Sequence, residues 1–182
     1  NGQKGHYGVA TFHKNNLLTS SIGFETDSED AQCRLITSKH LLNKKEVTII
    51  NGYFPQGDNR DHPVKFPYKE KFFKDLMLHL NNNFKKNENI IILGDLNISP
   101  EDIDIGIGED NRKRWLATGK CSFLPEEREW LQKIKDWGFK DSYRKFYPDS
   151  DDKYSWFDYR SRGFDDSPKR GLRIDHLWVT ES

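Results

Sequence analysis

Two short β-branched runs with one amphipathic segment between them constrain this chain more than any other feature. Residues 46–54 (Glu-Val-Thr-Ile-Ile-Asn-Gly-Tyr-Phe) read as a strand running into the turn Pro55-Gln56-Gly57. Residues 90–93 (Ile-Ile-Ile-Leu) read as a short buried strand that Gly94 breaks. Between them, Pro67 is expected to open a helix reaching about Phe84, because Phe72, Phe73, Leu76, Leu80 and Phe84 fall at helical spacing and proline suits a first turn. A second helix is expected from Pro125, with Trp130, Leu131, Ile134 and Trp137 on one side and Gly138 as its stop. Residues 6–12 and 173–179 also read as strands. Strand, helix, strand, then helices, loops and a last strand point to an α/β sandwich whose site lies on loops leaving the strand ends.

The chain has 182 residues, enough for one domain over 1–182 and too few for two of ordinary size. Only 34% of residues are apolar, yet 12 Phe, 7 Tyr and 5 Trp supply enough area for a packed core. The 29 basic and 29 acidic residues cancel, so no overall field advertises a polyanion partner. Local basic clusters can still attract DNA while acidic residues hold a metal elsewhere. Cys33 and Cys121 match no zinc spacing and read as reduced thiols of a cytosolic protein. There is no apolar run near 18 residues and no signal-peptide pattern, so no membrane is expected as a partner. Because Asn1 is not a methionine and strand-like segments lie close to both ends, the chain is expected to be a fragment.

The chemistry concentrates in Gly94-Asp95-Leu96-Asn97. An extended chain points residues i and i+2 the same way, so Asp95 and Asn97 can converge on one ligand. A carboxylate ligates Mg²⁺ or takes a proton from water, and an amide donates to a phosphoryl oxygen. The same four residues also fit an Asx turn that satisfies only backbone groups. Tyr53 is either a donor to a phosphate or a packed aromatic, and Gln56 in the following turn is counted on the substrate side. Asp175, between Ile174 and His176, is either solvated or buried with a partner. Trp156, Phe157, Tyr159 and Arg160 suit an extruded nucleotide or a core. Arg112-Lys113-Arg114 suits a phosphate clamp or a solvated helix face.

These segments together resemble the exonuclease III family of the exonuclease–endonuclease–phosphatase superfamily. The stretches that carry the resemblance are 2–10, Ile50-Asn51-Gly52-Tyr53-Phe54-Pro55-Gln56-Gly57, Gly94-Asp95-Leu96-Asn97-Ile98-Ser99-Pro100 and Asp104-Ile105-Gly106-Ile107-Gly108 with Asn111-Arg112-Lys113-Arg114-Trp115. Thr118-Gly119-Lys120-Cys121-Ser122-Phe123-Leu124-Pro125, Ser155-Trp156-Phe157-Asp158-Tyr159-Arg160 and Gly171-Leu172-Arg173-Ile174-Asp175 follow in family order. The resemblance implies a four-layered α/β/β/α sandwich of two packed mixed sheets flanked by helices, here incomplete at both termini. It implies cleavage 5′ to abasic sites in duplex DNA and 3′→5′ removal of nucleotides, with Mg²⁺ or Mn²⁺, by a bacterial, monomeric, cytoplasmic repair enzyme. It assigns Tyr53 to the scissile phosphate, Asp95 to proton handling and the metal, Asn97 to the phosphoryl group and metal side, and Asp175 to holding a catalytic histidine. Trp156, Phe157 and Leu172 match the pocket that receives the sugar lacking a base.

The resemblance also implies residues that this chain does not carry. The family's strand-borne asparagine and its metal-ligating glutamate would lie ahead of Asn1, and its Ser-Asp-His beyond Ser182. His176 is adjacent to Asp175 in a strand, so it is expected to point to the other face and not to substitute. The chain alone is therefore expected to be weakly active or inactive. Ser167-Pro168-Lys169 lengthens the loop before Leu172 and alters the rim of the sugar pocket. Two further readings stand beside the nuclease. One is a superfamily phosphodiesterase acting on a small phosphate ester or on DNA without selection, against which the Trp156 cluster and Arg112–Arg114 argue; the other is a non-catalytic DNA-binding fragment.

Overall fold

The computed structural model describes residues 1–182 except 4, 15, 16, 30, 161 and 182. Three antiparallel-linked strands come first: β1 (Leu17–Ile22), β2 (Leu35–Leu42) and β3 (Lys45–Tyr53). Helix α1 (Lys65–Asn83) then crosses over to β4 (Ile90–Asp95), which lies parallel to β3. A 3₁₀ turn (Asp102–Asp104), α2 (Glu109–Thr118) and α3 (Pro125–Trp137) follow. The chain continues through β5 (Phe139–Asp141), α4 (Ser142–Phe146), β6 (Trp156–Phe157), β7 (Gly171–Leu172) and β8 (Asp175–Thr180). The six-stranded sheet is ordered β1-β2-β3-β4-β8-β5, and β6 pairs with β7 in a separate ladder. This is the α/β class expected from the sequence.

Strand alternation decides what each sheet face does. Ile50, Ile90, Ile92 and Trp178 are buried with Phe72, Phe73, Leu76 and Leu80 of α1 and Trp130, Leu131, Ile134 and Trp137 of α3. Residues at the alternate positions, Ile91, Leu93, Asp95, Asp175, Leu177 and Val179, face the other way and are half-buried or exposed. A smaller core of Ile107, Trp115, Phe123, Leu172 and Ile174 joins α2 to β7. Cys33 and Cys121 are both free, and burial pushes the Cys121 thiol up to about 12. No helix among the described residues is long and apolar enough to cross a membrane.

Four expectations need correction. Residues 6–12 form no strand: the segment carries an isolated Gly2–Gly8 bridge and is tied to β3 through Asn51 Nδ2, which donates to the Ala10 carbonyl and Thr11 Oγ1. Its alternation is real, since Tyr7, Val9 and Thr11 are half-buried, but Phe12 stands 95% exposed and no strand among the described residues pairs with it. Helix α1 starts two residues earlier than Pro67, because His62 Nδ1 accepts from the Val64 and Lys65 amides and so supplies a start signal ahead of the proline. Gly94 does not break β4. It pairs with Gly52 on one side and His176 on the other. Its φ of 127° and the Gly52 carbonyl, into which a Cβ would run, explain why glycine stands there. Finally, Ile90–Leu93 is buried on one face only, as its alternation of buried and half-buried residues shows.

Candidate active site

The site begins as a row across three strands. Tyr53 on β3 pairs with Asp95 on the parallel β4, and Asp95 pairs with Asp175 on the antiparallel β8. Paired residues share a face and sit about 5 Å apart at Cβ, so the phenol and two carboxylates stand side by side on the face away from α1 and α3. Asp175 is exposed, while Asp95 is half-buried. Burial and then the Asp175 charge raise the Asp95 carboxyl to about 6, against the lowering effects of hydrogen bonds from Asn97 and the charge of Lys69.

Asp95 and Asn97 meet through the Asx turn that was the alternative reading, not as two side chains of an extended strand. Asn97 takes a left-handed φ of 54°. Its amide N–H donates to Asp95 Oδ1 at 2.9 Å and its Nδ2 to Asp95 Oδ2 at 2.9 Å. Nδ2 also donates to the Phe54 carbonyl at 2.9 Å, which ties this turn to the loop after β3. Both amide hydrogens are thus committed within the protein, and Asn97 is buried.

Arg34, which sequence reading missed, completes the Tyr53 side. The buried Arg34 lies 3.7 Å from the Tyr7 ring and 4.6 Å from the Tyr53 ring, and its Nη1 donates to the Tyr53 carbonyl at 3.0 Å. Burial lowers the Arg34 pKa from its usual value. No local pattern marks Arg34, because its neighbours come from 19 and 27 residues away. Gln56 is exposed, and its Oε1 accepts from the Asp58 amide at 2.7 Å.

The aromatic expectations divide. Trp156 pairs with Leu172 and Phe157 with Gly171. Trp156 lines a cavity of about 190 Å³ with Ile107, Trp115, Arg114, Lys120 and Arg170. Lys120 Nζ sits 3.8 Å from the Trp115 ring, and Trp115 stacks on Phe123. Leu172 is 1% exposed and belongs to the packed core beneath this cavity. Ser155 Oγ accepts from the Ile174 and Asp175 amides, which brings β6 next to the carboxylate row. Tyr159 and Arg160 are exposed and do not line the cavity.

The basic run lies on α2, and its members differ. Arg112 is engaged by Asp102 at 2.7 Å and Glu109 at 3.3 Å. Lys113 lies 3.6 Å from Glu109, and Arg114 donates to Asn111 Oδ1 at 2.6 Å while facing the cavity. Asp175 also borders an open depression of about 520 Å³ containing Tyr143, Phe146, Tyr147, Tyr154 and Leu177.

His176 points away from the row, as expected. It is buried, with Nδ1 2.9 Å from Arg173 Nη1 and Nε2 2.9 Å from the Ile98 carbonyl. Arginine only donates, so Nδ1 must accept and Nε2 carry the hydrogen. Burial, then the Arg173 charge, lowers the His176 pKa to about 4. Arg173 is itself held by Asp104 at 2.7 Å and Asp141 at 2.6 Å.

The donor set fits a hard divalent cation in part. Asp95 and Asp175 are like charges brought together with one of them desolvated, a disposition that a cation relieves. Asn97 offers only its amide oxygen, since its nitrogen is committed. Among the described residues no group of three or more His, Cys, Asp or Glu side chains is disposed around one point. Mg²⁺ binds through one or two carboxylates and keeps several waters, so that is no obstacle.

Comparison with known proteins identifies the family. Residues 1–182 match the family described as Endonuclease/Exonuclease/phosphatase family. The chain is 57% identical over 180 residues to exodeoxyribonuclease III of Haemophilus influenzae, covering 99% of this chain and 67% of that protein. The 3′-5′ exonuclease (NExo) of Neisseria meningitidis superposes with a TM-score of 0.74 at 33% identity, over 90% of this chain and 59% of that one. An AP endonuclease from Archaeoglobus fulgidus gives a TM-score of 0.74 at 28% identity, over 90% and 58%. The chain thus spans 67% of the curated relative and 59% of the first of these solved structures.

Proposed function

The chain belongs to the Endonuclease/Exonuclease/phosphatase family, and on that premise we propose that its protein is a DNA-repair phosphodiesterase. Its substrate is duplex DNA, cut 5′ to abasic sites and shortened 3′→5′ from its ends. Residues 1–182 belong to one domain of a bacterial, cytoplasmic, monomeric enzyme that uses Mg²⁺, with Mn²⁺ as a substitute. The observation that carries the reading is the row Tyr53–Asp95–Asp175 at the strand ends, with Asn97 turned back onto Asp95.

The chemistry follows from the raised carboxyl of Asp95. A group near 6 exchanges a proton at working pH, which suits the activation of water or the protonation of a leaving oxygen. Asn97, whose Nδ2 is committed to Asp95 and to the Phe54 carbonyl, holds the Asp95 carboxyl in place beside the phosphoryl group. The Tyr53 hydroxyl, fixed beneath Arg34, donates to the scissile phosphate. Asp175 keeps Asp95 poised by its charge and orients a histidine supplied from outside residues 1–182. Asp95, with the Asn97 amide oxygen and Asp175 beside it, would hold the cation, which when bound neutralises charge on the phosphate. Trp156, Phe157 and Arg114 take the sugar that lacks a base, with Leu172 as the packed floor; Arg112, Lys113, Arg160 and Gln56 meet the flanking backbone.

The test is cleavage of a duplex carrying one abasic site, with Mg²⁺, by this chain and by its full-length gene product. Incision 5′ to the site by the full-length protein, with little or none by the chain alone, is the expected result. Absence of incision by the full-length protein overturns the reading, and hydrolysis of a small phosphate ester in its place would favour the other superfamily chemistry.

A further inference from the structure

Lys69 is fully buried, and the reaction proposed above makes no use of it. It lies in α1 and points its ammonium beneath the site. Nζ donates to Glu127 Oε1 at 2.6 Å, to the Asn97 carbonyl at 2.9 Å and to the Gln56 carbonyl at 3.2 Å. Three donors meet three acceptors, so the ammonium is satisfied. Glu127 is equally buried, and its second oxygen accepts from the Ser122 and Leu124 amides at 2.8 Å.

A buried ion pair is a poor way to gain stability, because well-packed apolar residues serve as well or better. What this pair does that apolar residues cannot is hold two carbonyls in loops that carry candidate site residues. The Gln56 loop leaves β3 and the Asn97 turn leaves β4, and Lys69 is a donor common to both. Asn97 needs that restraint, since its left-handed φ is one that a non-glycine residue adopts at a cost. Gly57 packs on the same stem: a Cβ there would lie 2.9 Å from Lys69 Cδ.

We infer that Lys69, with Glu127 as its counter-ion, is a positioning residue for the phosphodiesterase reaction. It fixes the Asn97 turn, and through it Asp95, relative to the loop after Tyr53. The inference rests on the nuclease reading for its rate measurement and on nothing but the fold for its structural one.

The test uses the full-length gene product carrying Lys69→Met with Glu127→Gln, which removes both charges together. In the folded variant, kcat for abasic incision should fall on the order of 10-fold to 100-fold, the scale of small misplacements, while KM and DNA affinity change little. A folded variant with the parent's kcat overturns the inference and leaves the pair a structural one. Where the double variant does not fold, Lys69→Arg is read in the same way, since its fork cannot place donors on both carbonyls as the ammonium does. If the parent protein cuts no DNA, the nuclease reading fails by itself, and positioning is then decided by NMR. The Asn97 side-chain amide protons should lose their protection in the variant while the α1 and α3 amides keep theirs; unchanged Asn97 protection would sink the inference.

Discussion

Asp95 and Asp175 stand directly opposite one another on β4 and β8, and the charge of the second, after burial, raises the carboxyl of the first to about 6. Asp175→Asn removes the like charge but leaves burial, so the Asp95 carboxyl should fall part of the way toward 3.8. In the full-length protein the acid limb of the kcat/KM profile should move to lower pH by a fraction of a unit. An unmoved limb would mean that another group controls it.

The same carboxyl makes a stability prediction with a definite sign. Its folded pKa is raised, so the folded state holds the proton more tightly than the unfolded chain. That stability is fully present below about 3.8 and is lost as pH rises through about 6. Ionised Asp95 therefore costs on the order of 2–3 kcal/mol at neutral pH, at 1.36 kcal/mol per pKa unit. Asp95→Asn should be at least as stable as the parent at pH 8, by urea denaturation, while losing nearly all activity. Substantial destabilisation at pH 8 with activity retained would refute both halves.

His176 works in the opposite direction. Burial and Arg173 depress its pKa to about 4, so the unfolded chain binds its proton first. Stability from the neutral ring is present above about 6.5 and is lost as pH falls through about 4. His176→Phe should lose stability at pH 7, because Arg173 and the Ile98 carbonyl lose a partner, and its further loss between pH 6.5 and 4 should be smaller than the parent's. Parallel pH curves for the two proteins would show that the ring does not titrate there.

How legible these groups were depended on distance along the chain. The strand at 46–54, the helix opened near Pro67 and the helix Pro125–Trp137 rest on local period and punctuation, and they form close to where they were expected. Asp95 and Asn97 are two residues apart, so the Asx turn that joins them was open to a local reading. Residues 6–12 had the right alternation, but a ladder needs a neighbour that one segment cannot reveal. Arg34, Lys69 and Glu127 were invisible for the same reason. Lys69 meets Asn97 across 28 residues and Glu127 across 58, and a lysine in an amphipathic helix ordinarily faces water. Leu172 was read as part of a pocket by resemblance; it is buried in the small core on which the half-buried Trp156 packs.

Gly94→Ala tests the close approach that lets the row form. Alanine would have to adopt φ 127° with its Cβ against the Gly52 carbonyl. The strain and the clash together should cost about 3 kcal/mol or more, visible as a lower urea midpoint. A loss below about 1 kcal/mol, the ordinary range for a tolerated glycine replacement, would mean that β3 and β4 can separate without penalty.

Trp156 and Leu172 are cross-strand partners, yet they should fail in different ways. Trp156 is half-buried and lines the cavity with Arg114 and Lys120, so Trp156→Ala removes a cavity wall while the buried residues beneath it stay in place. Leu172 is buried with Ile107, Trp115, Phe123 and Ile174, so Leu172→Ala opens a void costing about 2–5 kcal/mol. In the full-length protein, Trp156→Ala should raise KM for an abasic duplex and weaken its preference over intact DNA, with a nearly unchanged thermal midpoint. Leu172→Ala should lower the thermal midpoint by several degrees while the surviving folded protein keeps most of its preference. The reverse pattern would place the sugar against Leu172 and make Trp156 a packing residue.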